Sequence, residues 1–320
     1  MNKLIIGAAC AAVLGLPVHA QNWPSQTVTI VVPYAPGGIA DIAARTIAEA
    51  LSSAWGQEVI VDNRTGGAGF IAATSVVAAD PDGYTLFVAD AGVMAVNSSL
   101  FDDVPYDAAN DFIPITMISD TPLVLAANTN APFSSPQEYV SYVQANPGTV
   151  SFGSAGIGSL NHIVPEWINY EMDLDAVHIP YRGGAPAATA VASGEVEVGV
   201  LALSSIGPFV DSGDIKALAV ARTERVESHP DLPTLIESGI PNVAAGQWAG
   251  LFARSGTPDE IVAKIHTDVT EFLNSEAARE TFGARGAIVS PMEIDTFAEL
   301  VSELRVQLGT IIEAAGISPD

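Results

Sequence analysis

The sequence predicts an α/β protein built from two lobes, and three observations support this prediction. Apolar segments typical of strands alternate with segments of helical periodicity, which is the pattern of a largely parallel sheet covered by helices. The roughly 300 residues that follow an N-terminal leader exceed the comfortable size of one hydrophobic core. Two glycine-bearing turns, about 110 residues apart, each follow a strand and precede a helix, so that each lobe would carry one.

The N-terminus has the pattern of a secretory signal peptide. A short positive start that ends at Lys3 precedes an apolar stretch at 4–16, and small residues lead to a cleavage point after Ala20. The apolar stretch is shorter than the roughly 18 residues that a membrane-spanning helix requires. Because Cys10 is the only cysteine and lies in this leader, we expect no disulfide, zinc cluster or cysteine nucleophile in the mature chain. We therefore expect residues 1–20 to be removed on export.

The charge of the chain limits its partners. The formal net charge is −25, and Lys216 and Lys264 are the only lysines after the leader. Nucleic acids and anionic lipids bind to clustered cations, so the composition argues against both. An anionic ligand would have to be held by local amide dipoles and hydroxyl groups against the overall field. The acidity is also explained simply by solubility, for example in a saline habitat.

The first lobe is predicted to begin with strand and helix units. Residues Ala44, Ile47, Ala48, Leu51 and Trp55 form one apolar stripe on the first helix, which would cover the sheet. The predicted strands are 27–32, 58–63 and 85–89, and the predicted helices are 41–55 and 70–79.

The second lobe is predicted to begin near Pro122. Its predicted strands are 123–128, 150–152, 176–180, 196–201 and 215–221, and its predicted helices are 136–145, 162–170 and 185–193. After a proline-rich stretch, a strand at 248–254 and helices at 258–275 and 294–315 are expected to return to the first lobe. The predicted division is therefore residues 21–121 plus 241–320 for the first lobe and 122–240 for the second.

The two glycine-bearing turns are the main candidates for an anion-binding site. Each presents backbone N–H groups that no helical carbonyl uses, at the positive end of a helix dipole. Two such turns on two lobes could close on one carboxylated ligand. The candidate ligand-binding residues are Tyr34, Gly37, Gly38, Ile39, Ala40 and Asp41 in the first turn, and Ser154, Ala155, Gly156, Gly158, Ser159 and His162 in the second.

A third turn follows the strand at 176–180 and contains the candidates Tyr181, Arg182 and Gly183. Arg182 could form a bidentate pair with a carboxylate, or it could be a surface arginine beside a turn. Ser154 and Ser159 are interpreted as N-cap hydroxyls and ligand donors, with purely structural roles as the alternative.

Three other kinds of site fit the sequence less well. The stretch Gly67-Ala68-Gly69 resembles part of a dinucleotide fingerprint, but it lies several residues beyond the preceding strand, whereas the fingerprint has its glycines in the turn itself. Ser159 and His162 could form a hydrolase pair, which would also need an acid and an oxyanion hole. The histidines after the leader lack the spacing of metal ligands, so we predict neither a metal nor a cofactor.

Together these segments resemble the periplasmic receptors of tripartite tricarboxylate transporters. The order and spacing of the motifs match along essentially the whole mature chain. The segments that carry the resemblance are Pro33-Tyr34-Ala35-Pro36-Gly37-Gly38 with Asp41, Pro81-Asp82-Gly83-Tyr84, Pro105-Tyr106-Asp107, Gly156-Ile157-Gly158-Ser159 with His162, and Pro180-Tyr181-Arg182-Gly183-Gly184.

The resemblance implies a class II-like periplasmic binding protein with its ligand in the cleft between the lobes. It implies a monomer that is not an enzyme, captures a small organic acid by closing its lobes, and delivers that acid to membrane permease subunits. A ligand-presenting partner of a membrane sensor kinase would have the same fold and remains an alternative.

Two departures from the family pattern bear on the ligand. The family often has an Asp-Asn pair where this chain has Leu201-Ala202, so the far end of the ligand is expected to meet an apolar wall. Asp90 stands where the family commonly has small hydroxyl residues. Because a carboxylate in an anion-binding cleft is costly unless it is protonated or paired, Asp90 is expected either to receive an amino or hydroxyl group of the ligand or to cap a neighbouring turn.

Overall fold

The computed structural model describes residues 23–319. The predicted signal peptide lies outside the described residues. The strands are β1 (Val28–Val32), β2 (Val59–Asn63), β3 (Thr85–Ala89), β4 (Phe112–Asn128), β5 (Ser151–Ser154), β6 (Val177–Pro180), β7 (Val198–Ala202), β8 (Ile215–Val220), β9 (Gly246–Arg254) and β10 (Ile288–Val289).

Ten α-helices lie between these strands in the described part of the chain. They are α1 (Ile39–Trp55), α2 (Phe70–Val77), α3 (Asn97–Leu100), α4 (Pro136–Ala145), α5 (Leu160–Met172), α6 (Gly184–Ser193), α7 (Leu203–Ser212), α8 (Asp259–Leu273), α9 (Glu276–Gly283) and α10 (Ile294–Ala314). A 3₁₀ turn at Gly67–Gly69 precedes α2, and a π-helical turn at Gly92–Val96 precedes α3.

The strands form two parallel groups that are joined through β4. In the first lobe, β1 pairs in parallel with β2 and β3, and β9 pairs antiparallel with β3. In the second lobe, β5 pairs in parallel with β6 and β7. The strand order is β2-β1-β3-β9-β4-β7-β5-β6, with β8 and β10 also paired to β4. The predicted two-lobed α/β architecture is confirmed.

Strand β4 is longer than the sequence predicts. The predicted strand covers only 123–128, whereas β4 begins at Phe112 and passes from the first lobe into the second. Pro114, Pro122 and the polar residues around Asp120 interrupt the apolar pattern, and prolines ordinarily exclude a central strand. Register irregularities at 114–116 and 117–119 accommodate this sequence within the ladder to β9.

Four of the five residues of the predicted stripe on α1 are buried, and the fifth, Trp55, is partly buried. Ala44, Ile47, Ala48 and Leu51 are each no more than 5% exposed, and they pack against β1 and β3. Helix α7 was not predicted, because Gly207 and Pro208 interrupt its helical pattern.

Helix α10 joins the cores of the two lobes. Its buried residues Phe297, Val301, Leu304 and Leu308 belong to a hydrophobic cluster that contains residues of both lobes. The pairing of β9 with β3 and the packing of α8 on α1 support the prediction that residues 241–320 return to the first lobe. The lobe boundaries themselves stay a prediction.

Gly250 on β9 tests the packing between the sheet and α10. A Cβ at this position would collide with the ring of Phe297, which is fully buried. We expect Gly250→Ala to lower the free energy of unfolding by about 1–3 kcal/mol, the usual effect of overpacking a core. Urea-induced unfolding measures the change.

Gly283→Ala is the matched control, because a Cβ there would meet no atom within 4 Å and the residue ends α9 without a left-handed backbone. The control should be neutral or stabilise by up to about 1 kcal/mol. Equal effects of the two substitutions would contradict this account of the packing.

Candidate functional site

The three predicted turns lie at the carboxyl ends of parallel strands. The first turn joins β1 to α1, the second joins β5 to α5, and the third joins β6 to α6. Asp90 directly follows β3, the neighbour of β1. Ligands of open α/β sheets bind at this edge, where helices begin. We call the space between these edges of the two lobes the interlobe cleft.

The first turn exposes helix amides that have no acceptor within residues 23–319. Gly38 is the N-cap of α1 with extended backbone and no side-chain cap, and Gly37, Gly38 and Ile39 are exposed. Gly37 has a φ of 93°, in the region that favours glycine. The amide of Gly37 bonds within the turn, so the amides of Gly38, Ile39 and Ala40 are the ones that face solvent or a ligand.

The side chain of Asp41 stabilises the first turn. Its side chain is almost fully buried, and one carboxylate oxygen accepts hydrogen bonds from the Gly37 amide at 2.8 Å and from Arg45 at 3.1 Å. The other oxygen accepts a hydrogen bond from Asn63 at 2.9 Å. Burial by itself would raise the pKa of Asp41, but these hydrogen bonds hold it below its ordinary value. Direct contact of Asp41 with a ligand stays a prediction.

The second turn lies against the first lobe. Gly156 and Gly158 have φ values of 130° and 75°, and a Cβ at Gly158 would collide with Leu100 of α3. The amides of Gly156 and Gly158 are taken up inside the turn, by Ser154 Oγ and His162 Nδ1. Ser159 is the N-cap of α5, but its hydroxyl donates to the Gly156 carbonyl at 2.7 Å. The amides at the start of α5 are therefore left for a ligand.

Two stacked histidines support the second turn. The rings of His162 and His178 lie 3.6 Å apart at an angle of 11°. His162 Nδ1 accepts the Gly158 amide at 3.2 Å, and His178 Nε2 lies 2.6 Å from Ser154 Oγ. The sequence predicts His162 as a site residue but gives no local signal for His178, because the two meet only when β6 pairs with β5.

Both imidazoles are held in the neutral form. Burial, together with the neighbouring His178, lowers the pKa of His162 to about 4. Burial likewise lowers the pKa of His178 to about 4. Because His162 Nδ1 is an acceptor, the hydrogen-bond pattern assigns its proton to Nε2, which lies 3.9 Å from Glu166.

The third turn is attached to the second. The amides of Tyr181 and Gly183 donate to the carbonyls of Ser154 and Ala155 at 3.0 and 3.1 Å. The Tyr181 hydroxyl donates to Glu195 at 3.0 Å, away from the turns. Arg182 is exposed and forms no hydrogen bond or ion pair with any residue that the structure describes.

Asp90 and Tyr34 form a pair at the edge of the first lobe. The Tyr34 hydroxyl lies 2.8 and 2.7 Å from the two carboxylate oxygens of Asp90 and donates to them. Asp90 also accepts the Val93 amide at 3.2 Å, which confirms the predicted capping of a neighbouring turn. Burial raises the pKa of Asp90, and the hydrogen bonds from Tyr34 and the backbone partly offset this effect. Contact of either residue with a ligand stays a prediction.

Polar contacts connect the second turn to the strands that join the lobes. Asn161 in the first turn of α5 donates to the Val200 carbonyl at 2.7 Å and accepts from Gln247 of β9 at 3.1 Å. Arg222 pairs with Asp120 of β4. Leu201 is fully buried among the apolar residues of the second lobe. Its burial does not show contact with a ligand, and the apolar wall at this position therefore stays a prediction.

The structure gives the other interpretations little support. The Gly67–Gly69 turn packs through Gly69 against Pro33 and Val93. Ser159 and His162 bond to different backbone groups and not to each other. Ser154 and His178 lie closer together, but Ser154 is fully buried, which disfavours it as a nucleophile. Among residues 23–319, no cluster of His, Cys, Asp and Glu has the geometry of a metal site.

Surface grooves of about 720 and 890 Å³ lie elsewhere, beside the start of α4 and between α1 and α8, and include none of the predicted site residues. The second turn lies where the lobes touch, through Leu100 and Gly158. Within residues 23–319, no helix combines the length and apolarity needed to cross a membrane.

The histidine pair predicts a specific loss of stability in acid. Since both pKa values are near 4 in the folded protein and near 6.5 in an unfolded chain, the unfolded state binds more protons between these pH values. The contribution of the pair is therefore complete above pH 6.5 and is lost as the pH falls towards 4. We expect His178→Gln to reduce the dependence of the unfolding free energy on pH in this window.

Denaturant unfolding at several pH values measures this dependence. The control is His229→Gln, which removes an exposed histidine outside the stacked pair and should leave the contribution of the pair in place. If His178→Gln and the wild type lose stability in parallel from pH 6.5 to 4, the neutral pair has been assigned wrongly.

Comparisons with known proteins identify the family of this chain. The family model described as "Tripartite tricarboxylate transporter family receptor" matches residues 43–317. Protein BugT of Bordetella pertussis is 32% identical over 285 residues, which cover 88% of this chain and 87% of BugT.

Two solved structures with bound ligands are similar over most of the chain. Rpa4515 of R. palustris with adipate has a TM-score of 0.78 at 32% identity and covers 93% of this chain and 100% of its own. MatC of Rhodopseudomonas palustris with bound malate has a TM-score of 0.73 at 32% identity and covers 91% of this chain and 100% of its own. The chain therefore belongs to the tripartite tricarboxylate transporter receptor family, whose members are periplasmic solute-binding proteins that work with membrane permeases.

Proposed function

We propose that this protein binds a small organic acid in the interlobe cleft and delivers it to the permease subunits of a tripartite tricarboxylate-type transporter. The observation that carries the proposal is the pair of helix starts, one in each lobe, whose amides have no acceptor in the part of the chain that the structure describes. At α1 these are the amides of Gly38, Ile39 and Ala40, and at α5 those of Leu160 and Asn161. Helix starts of this kind stabilise a carboxylate by hydrogen bonds and by the helix dipole.

The arrangement suits capture by closure. The start of α5 contacts the first lobe through Gly158 and Leu100, and Asn161 reaches β9 through Gln247. A carboxylate held by amides of both lobes stabilises the closed form by the contacts that the open form lacks. Amide donors also explain how a chain with a net charge of −25 binds an anion, since they add local positive potential without adding cations.

The ligands of the similar structures support a carboxylate. Adipate and malate are both small dicarboxylates, and the proteins that hold them share 32% of their residues with this chain. We further propose that residues 1–20 are removed after Ala20, that the mature protein is a soluble periplasmic monomer without a cofactor, and that it binds its ligand without chemical conversion. The contacts of the second turn support binding without conversion. Ser159 and His162 bond to backbone groups, and Ser154 pairs with His178 of β6.

Thermal unfolding of the mature protein with and without acids tests the proposal. Adipate, malate, succinate, glutarate, citrate, L-aspartate and L-glutamate are the probes. An acid at 100 times its Kd should add about 2.7 kcal/mol to the free energy of unfolding, which is visible as a raised midpoint. If none of these acids shifts the midpoint or gives heat in calorimetry, the proposed receptor function is wrong.

Gly38→Val locates the site. The nearest atom to a Cβ at Gly38 is the Ala35 carbonyl oxygen at 3.8 Å, and the backbone is extended, so valine fits the folded protein. Its side chain would stand over the amides of α1, and we expect the affinity for the acid found above to fall at least about tenfold, equivalent to 1.4 kcal/mol. Gly283→Val, far from the turns, is the control. Unchanged affinity in Gly38→Val would exclude the first turn as the site.

A further inference from the structure

The carboxylate of Asp90 has no cationic partner among the described residues. No nitrogen of Lys, Arg or His among residues 23–319 lies within 4.0 Å of it. Its donors are the neutral hydroxyl of Tyr34 and backbone amides of the following turn. A half-buried carboxylate with neutral donors alone has lost part of its hydration without gaining a counter-charge. A cationic group of a ligand would supply this missing counter-charge.

Gly92 lies directly beside this carboxylate. Gly92 is partly exposed, and its backbone angles are open to any residue. A side chain there would be disfavoured by the nearby Asp90 carboxylate and not by the backbone conformation. A Cβ at Gly92 would lie 3.1 Å from Asp90 Oδ1 and 3.6 Å from the Tyr34 hydroxyl oxygen. Gly92 also begins the π-helical turn, an irregularity that is frequent at functional sites. Glycine at position 92 thus avoids a close contact between a side chain and the Asp90 carboxylate.

Asp90 and the first turn lie close enough for one small molecule to reach both. The turn follows β1 and Asp90 follows β3, and these strands are parallel neighbours, whose spacing is about 4.8 Å. Tyr34 connects the two, since it belongs to the turn and donates to Asp90. Beyond Asp90, the chain continues to Leu100, which contacts Gly158 of the second lobe. The segment that follows Asp90 therefore reaches a contact between the two lobes.

We propose that the ligand is an amino acid, whose ammonium group binds Asp90 while its carboxylate binds the helix starts. This inference rests on the proposed function and narrows its substrate class. The ammonium would form a charge-assisted hydrogen bond with Asp90 in the space beside Gly92. A dicarboxylate without an amino group would instead place an anion near an unpaired carboxylate, which disfavours binding.

Matched pairs of acids test the role of the ammonium group. L-glutamate and glutarate differ only in the α-ammonium, as do L-aspartate and succinate. We expect isothermal calorimetry to show the wild type binding at least one amino acid about tenfold or more tightly than its partner, equivalent to 1.4 kcal/mol. Malate adds a hydroxyl to succinate, and an equal advantage of malate would overturn the ammonium assignment. Dicarboxylates that bind as tightly as both amino acids would also overturn it.

Asp90→Asn tests the residue. Asparagine has nearly the same shape and its oxygen still accepts from Tyr34, but it carries no charge. We expect this variant to lose the preference for the amino acid, through weaker binding of the amino acid and equal or tighter binding of the dicarboxylate. Asp102→Asn, an exposed carboxylate of the same lobe, is the control for overall charge and should keep the preference. A preference that survives in Asp90→Asn overturns the proposal.

The two proposals fail in different ways. If neither amino acids nor dicarboxylates bind the wild type, the carboxylate receptor is wrong, and this inference fails with it. If dicarboxylates bind and amino acids do not, the receptor stands and only the assignment of Asp90 fails. Thermal unfolding of Asp90→Asn without ligand shows whether the variant folds, and a lower affinity for all acids alike would indicate a role in shaping the turn and would also contradict recognition of the ammonium.

Discussion

The ladder between β4 and β9 is the interaction on which both lobes depend. β4 pairs with β9 and β10 in the first lobe and with β7 and β8 in the second, so one strand belongs to both sheets. A relative movement of the lobes must therefore bend this ladder. The register irregularities in β4 and the buried hydroxyls of Ser119 and Thr121, which have no partner among the described residues, lie along the same stretch. Residues 114–121 are therefore the part of the ladder between β4 and β9 that is least constrained to one geometry.

Backbone groups, and not charged side chains, provide the positive potential of the candidate site. Asp41 and the histidine pair form hydrogen bonds with amides inside the turns. The amides at the starts of the neighbouring helices are not used in this way and can act as donors to a ligand. Glycine is required at Gly158 both for its φ of 75° and because Leu100 occupies the space of a side chain. The same residue thus shapes the turn and allows the lobes to approach each other.

Local patterns predicted the turns well, and long-range contacts explain what they missed. A strand, a glycine turn and a helix start are visible in the sequence around Gly38 and Gly156, so the positions of the turns followed from it. The length of β4 did not, because Pro122 normally ends a strand and here lies inside a ladder. His178 was missed for another reason: its contact with His162 depends on how β5, β6 and α5 pack, which no spacing along the chain reveals.

The neutral histidine pair has a consequence for where the protein can work. A protein outside the cytoplasmic membrane experiences the acidity of its surroundings, and a site that relied on histidine cations would change its charge in mildly acidic media. Here both imidazoles stay uncharged until the pH approaches 4. The second turn therefore presents the same electrostatic surface from neutral pH until the pH approaches 4.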